Sequence, residues 1–172
     1  MVERVLTEWR VCLLEKTFQT NSFDCGVPQL DDYLKKYAWQ NQKRGVATTY
    51  VATSGEDKEV VGYYSASTGQ INFESVPDVF KKGLPRYPIP IIRIGKLGVT
   101  LKAQNKGLGK ELLTHALCKA VKLSQEIGIF AVTVDAIDEK AKQFYIKRGF
   151  KTFQDNDMSL FIVIQKIAEA FA

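Results

Sequence analysis

Leu97-Gly98-Val99-Thr100, then Leu101-Lys102-Ala103, then Gln104-Asn105-Lys106-Gly107-Leu108-Gly109-Lys110 is the stretch on which the reading of this chain turns. The apolar segment Ile89 to Thr100, interrupted by Arg93 and Lys96, reads as a strand. A helix is predicted from about Gly107 to Ile127, because Leu108, Leu112, Leu113, Ala116, Leu117, Ala120, Val121 and Ile127 recur on one face. Gly128 supplies its stop. A strand that feeds a glycine-rich turn and then a helix aims unpaired N–H groups outward. Those donors and the positive end of the helix dipole make a site for a phosphate or diphosphate, which glycine lets approach without a Cβ in the way.

Two other phosphate loops are excluded by spelling. A Walker loop needs a glycine where Gln104 stands and a Ser or Thr where Glu111 stands. A dinucleotide fingerprint needs a third glycine at the position of Leu112.

Downstream, the continuous apolar run Ile129 to Ala136 reads as a buried strand. Asp138 is placed to cap a helix over Glu139 to Arg148 that Gly149 ends, and Phe150 to Phe153 and Ser159 to Ile164 read as two further strands. Upstream, Val11 to Leu14 reads as a short strand, and Pro28 to Lys43 as a helix with Leu30, Tyr33, Leu34, Tyr37 and Ala38 on its apolar side. Thr48 to Ala52 and Val60 to Ser67, separated by Ser54-Gly55-Glu56-Asp57, read as a hairpin. Pro77, Pro85, Pro88 and Pro90 make Val76 to Pro90 a loop with at most a short helix. The alternation of strands and helices, with a strand–helix–strand unit at the centre, gives an α/β (α+β) class.

The 172 residues, 45% apolar and 25% charged, suit one soluble domain over 1–172. Cys12, Cys25 and Cys118 form no C-x-x-C pair, so neither a disulfide framework nor a metal site is expected, and a reducing, cytoplasmic setting fits. Met1-Val2-Glu3-Arg4 does not begin a leader, and no apolar segment is long enough to span a bilayer. The net charge of +5 favours phosphate-bearing ligands and is spread over Lys35-Lys36, Lys43-Arg44, Lys81-Lys82, Arg86, Arg93 and Lys147-Arg148.

The pattern Gln104-x-x-Gly107-x-Gly109 after a strand, together with Asp135-Ala136-x-Asp138-x-x-Ala141-x-x-Phe144-Tyr145-x-x-x-Gly149-Phe150, resembles the GNAT acetyltransferases. Phe23-Asp24-Cys25-Gly26, Leu30-Asp31-x-Tyr33-Leu34, Val60-Val61-Gly62-Tyr63-Tyr64-Ser65 and Pro88-Ile89-Pro90 resemble one branch, the acetyltransferase toxins of bacterial toxin–antitoxin pairs. The resemblance runs from about Phe23 to Phe150. It implies a mixed, mostly antiparallel sheet of about six or seven strands, flanked by about four helices and splayed between two parallel central strands. It further implies that acetyl-CoA is held by Leu97, Gly98, Val99, the loop Gln104, Asn105, Lys106, Gly107, Leu108, Gly109 and Lys110, and Phe144. Tyr145 then matches the acid that protonates the departing thiolate.

The blander reading makes Tyr145 a core aromatic on an amphipathic helix. Asp135 at a strand end and Asp138 at a helix start read as structural rather than catalytic, and His115, well inside its helix, likewise. Cys25 has no neighbouring base in the sequence and reads as a bystander.

With no obvious general base, an α-amine of pKa about 7.7–8.0 is an easier acceptor than a lysine at about 10.4. The toxin branch acetylates the α-amine carried on charged tRNA, which makes aminoacyl-tRNA, a small antitoxin and a second copy of the chain the implied partners. Arg93, Lys96, Arg86 and Lys36 are the candidate phosphate contacts, and the family often has arginine where Lys96 stands. A small amine or a protein amino terminus as acceptor, and a module that binds acetyl-CoA without turnover, stay open at this point.

Overall fold

The computed structural model describes residues 9–55 and 57–171. Glu56 of the predicted hairpin turn and the Met1–Arg4 start lie outside the described residues. The elements are β1 (Trp9–Leu13), α1 (Pro28–Asp32), a π turn (Tyr33–Tyr37), α2 (Ala38–Lys43), β2 (Thr48–Ser54), β3 (Val60–Ile71), α3 (Asp78–Lys81), β4 (Ile89–Val99), α4 (Leu108–Ser124), β5 (Ala131–Asp135), α5 (Glu139–Ile146), β6 (Lys151–Thr152), β7 (Ser159–Val163) and α6 (Ile164–Phe171). The strands form one seven-stranded sheet in the order β1-β2-β3-β4-β5-β7-β6. β4 and β5 are parallel, whereas β1/β2, β2/β3, β5/β7 and β6/β7 are antiparallel. This is the mixed, mostly antiparallel sheet expected from the resemblance.

The described chain divides into two compact units, one built from the residues up to Ala66 with Lys96–His115, the other from Ser67–Gly95 with the residues from Ala116 onward. In the first, Leu30, Leu34 and Ala38 line up along the helical segment and pack with Leu14, Phe23, Val51, Val60 and Tyr63. Tyr63 is fully buried, and its hydroxyl donates to the Leu30 carbonyl at 2.7 Å, so its burial leaves no donor unpaired.

The predicted helix over Pro28 to Lys43 coils throughout, but not as one α-helix. In the π turn the Ala38 N–H reaches back to the Tyr33 carbonyl. That wider turn keeps Leu34 and Ala38 inside and swings Tyr37, expected on the apolar side, out to 53% exposure. Gln42 then bonds both the Leu14 carbonyl (2.8 Å) and the Thr49 N–H (2.9 Å).

β3 has a glycine where α4 crosses it. A Cβ on Gly62 would stand 3.0 Å from the Leu108 and Leu112 side chains, so the first turn of α4 rests directly on the strand backbone. Leu108, Leu112, Leu113, Ala116, Leu117 and Ala120 are buried as the periodicity predicts. The helix ends at Ser124, short of the predicted Ile127, which lies 59% exposed in the turn beyond.

In the second unit Ile91, Ala131, Phe153 and Phe161 pack into a core cluster, with Phe80 of α3 edge-on to Phe161 at 5.2 Å. Ser75 bonds Asp155 (2.8 Å) and its carbonyl accepts from Gln154 N–H (3.1 Å), which pins the proline-containing loop to the sheet. α6 was not foreseen, because Leu160 to Ile164 runs on apolar without a Gly, Pro or cap to mark where strand becomes helix.

Candidate active site

The loop after β4 is built by local backbone choices. Leu101–Ala103 form a single 3-10 turn, closed by Ala103 N–H to Thr100 O (2.9 Å) and Gln104 N–H to Leu101 O (3.2 Å). Asn105 and Gly107 then take positive φ, 63° and 88°, which asparagine tolerates and glycine adopts freely. α4 starts at Leu108, and the Gly107 carbonyl accepts from Glu111 N–H at 3.1 Å. Among the described residues, none of the amides from Asn105 to Lys110 has an acceptor. Successive free N–H groups in left-handed and helical conformations form a concavity for an anion, and here the dipole of α4 reinforces it. Lys106 and Lys110 make no ion pair with described residues, whereas Lys102 is bound to Glu59 at 2.6 Å. The residues present therefore suit a diphosphate.

The strand end feeding this loop has a defined polarity. Thr100 N–H bonds Val61 O at 2.9 Å, so by strand alternation the N–H of Val99 points away from β3. The parallel ladder of β4 ends at Ile94, paired with Val134, and β4 continues through Leu97 and Gly98 to Val99. The Gln104 side chain donates to Val99 O (2.8 Å) and Cys25 O (3.1 Å).

Tyr145 belongs to the second unit, on α5. Its carbonyl receives Arg148 N–H (3.0 Å) and Phe150 N–H (3.2 Å), and Gly149, at φ 95°, turns the chain back. The ring is 7% exposed, edge-on to Phe144 (5.3 Å) and Phe150 (5.4 Å). Burial pushes the phenol up to about 12, and no described residue accepts from its hydroxyl. Phe144 is half-buried, and the Arg148 guanidinium lies 3.8 Å over its ring while donating to the Phe144 carbonyl at 2.8 Å.

Asp138 caps α5 by accepting from Ala141 N–H at 2.7 Å. Asp135, at the end of β5, pairs with Arg93 (3.3 Å) and accepts from Ser159. His115 Nδ1 lies 2.7 Å from the Tyr64 hydroxyl, beside Tyr50. The Cys25 thiol is pushed up to about 11 by burial and by Asp31, so it stays protonated at neutral pH.

The four expected phosphate contacts fall in different places. Lys36 is exposed and pairs with Asp32 at 3.4 Å; the Lys96 ammonium sits 5.3 Å over the Tyr33 ring. Both belong to the first unit, whereas Arg93 and Arg86 belong to the second, and Arg86 leans on Phe73 at 5.8 Å. Among the described residues no cluster of His, Cys, Asp and Glu suits a metal, and no helix is long and apolar enough to cross a membrane.

Sequence reading placed Asp24-Cys25-Gly26 in the resemblance but missed that it straps the end of β4. Leu101 N–H donates to Asp24 O at 2.7 Å, and the Thr100 hydroxyl meets the same residue. Thr100 and Asp24 lie 76 residues apart, and no local pattern announces the pairing.

A family model described as an acetyltransferase (GNAT) domain matches residues 45–152. The chain is 32% identical, over 144 residues, to a tRNA-acetylating toxin of Mycobacterium tuberculosis, covering 84% of this chain and 85% of that one. Among solved structures it is similar to a tyrosine-to-phenylalanine mutant of KacT, with a TM-score of 0.90 at 25% identity over 95% of this chain and 99% of that one. It is also similar to AtaTR bound with acetyl-CoA, with a TM-score of 0.85 at 25% identity over 96% and 99%.

Proposed function

Because the chain belongs to the GNAT acetyltransferase family and is an acetyl-CoA-dependent N-acetyltransferase, we propose that its acceptor is the α-amine of an aminoacyl-tRNA. In this reading it is a toxin that blocks translation in the cytoplasm and is restrained by a small antitoxin protein. The observation that carries the acceptor is the 32% identity with a tRNA-acetylating toxin over most of both chains. The net charge of +5 and the exposed Lys36 and Arg86 agree with a polyanionic substrate.

Acetyl-CoA supplies an activated acyl carbon, and the amine displaces its thiolate. The amides of Asn105 to Lys110, with Lys106 and Lys110, hold the diphosphate. The Val99 N–H, turned away from β3, stabilises the negative charge that gathers on the acetyl oxygen as the C–N bond forms. Tyr145 gives its proton to sulfur as the C–S bond breaks. Donation from a phenol near 12 to a thiolate whose thiol has a pKa of about 8.5 runs uphill. It is therefore coupled to passage of a proton from the attacked nitrogen, strongly acidic once it bears the acyl carbon, to the Tyr145 oxygen, which restores the phenol. Asp135 and Asp138 are committed to an ion pair and a cap, so neither serves as base, which favours an α-amine already partly neutral at cellular pH.

The test supplies purified protein with acetyl-CoA and mixed aminoacyl-tRNA and follows acetylated aminoacyl groups. Acetylation of small amines or protein amino termini with none on aminoacyl-tRNA would remove the toxin reading and leave the enzyme.

A further inference from the structure

The side chain of Gln104 is spent inside the protein. A primary amide carries two N–H donors, and Gln104 uses its own on the carbonyls of Val99 (2.8 Å) and Cys25 (3.1 Å). In a strand the N–H and C=O of one residue point the same way, and Thr100 N–H bonds Val61 O, so both polar groups of Val99 point away from β3. The Val99 carbonyl is thus a negative dipole end beside the N–H assigned to the acetyl oxygen. Uncapped, it would oppose charge building up there or draw in water, and the peptide would be free to tilt. Bonded to Gln104, it has a fixed direction and its dipole is offset.

The second bond extends the hold. Cys25 N–H donates to Asp31 Oδ1 (2.9 Å), and Asp24 is tied to Thr100 and Leu101. The Gln104 amide closes this set, making the end of β4, the strap Asp24–Gly26 and the start of the diphosphate loop one piece.

We propose that Gln104 is a positioning residue for acetyl transfer: its two amide donors set the Val99 peptide and the strap, and its side chain is not a ligand of the cofactor. This rests on the acetyl-transfer reading of the same site.

Three variants separate the roles. Gln104→Met keeps the length and removes both donors, Gln104→Glu presses an acceptor onto two carbonyls, and Gln104→Arg restores donors without an acceptor. The expected result is a fall in kcat of roughly 30-fold for Met and more for Glu, with Arg within about fivefold of wild type. The Kd of coenzyme A alone, by calorimetry, stays within about twofold in all three. A weakened Kd with kcat kept would make Gln104 a cofactor ligand and overturn the proposal. Arg no better than Met would make donation irrelevant and overturn it too. So would a kcat loss matched by the unfolded fraction at the assay temperature, read from thermal melts. Wild type that moves acetyl to no amine would instead remove the acetyl-transfer reading beneath it.

Discussion

Thr100 and Asp24 are joined twice: the Thr100 hydroxyl donates to the Asp24 carbonyl at 3.0 Å and accepts from the Asp24 N–H at 3.2 Å. Thr100 is buried, so losing its hydroxyl strands a backbone donor. Thr100→Val, nearly isosteric, is expected to cost about 1–3 kcal/mol of folding stability, measured by denaturant unfolding. An unchanged midpoint would show that the pair is idle.

Tyr145→Phe is expected to lower kcat by about a hundredfold while leaving coenzyme A affinity within about twofold. The hydroxyl has no partner among the described residues, so the melting temperature should hardly move. Thiol release and calorimetry on the same preparation check both halves; a full rate in the variant would return Tyr145 to a packing role.

The pH profile follows from the same phenol. With its pKa raised to about 12, the acid form persists throughout the usable range. The rate should climb as the acceptor amine loses its proton, around pH 7.7–8.0 for an α-amine, and then stay level to about pH 10. A descending limb near pH 9 would mean that a different acid operates.

Gly107 holds φ at 88°, and a Cβ there meets nothing within 4 Å, so the cost of Gly107→Ala is conformational rather than steric. About 1–2 kcal/mol of strain is expected, felt as roughly tenfold weaker coenzyme A binding as the loop amides shift. Gly62→Val does something different: its Cβ runs into Leu108 and Leu112 at 3.0 Å, so stability falls by about 1–3 kcal/mol, read as a lower melting temperature.

If charged RNA is the substrate, Lys36→Ala and Arg86→Ala should each weaken binding most at low salt and shrink the slope of log affinity against log salt by up to about one. Filter binding across a salt series measures this. Equal loss at every salt concentration would exclude phosphate contact.

What the chain's order of residues discloses is what neighbours decide. The loop from Gln104 to Lys110, the Asp138 cap and the apolar face of α4 all depend on residues within a turn or two, and each was readable. The destination of the Gln104 side chain was not, because Cys25 lies 79 residues away and nothing in the spelling Gln-x-x-Gly-x-Gly distinguishes a ligand from a staple. Arg93 read as a candidate phosphate contact, and only the parallel pairing of β4 with β5 places it beside Asp135. α6 escaped because strand and helix share one apolar run.

A π turn is an α-helix that has taken in a surplus residue, and the one at Tyr33–Tyr37 sets the angular phase of everything after it. Removing a single residue there would let the coil close into a uniform α-helix while rotating its far end by about 100°. Gln42 would leave Leu14 and Thr49, and Ala38 would exchange its buried place for a bulkier neighbour. Length in this segment is therefore less negotiable than composition, and a one-residue deletion should do more harm than several substitutions along its outer side.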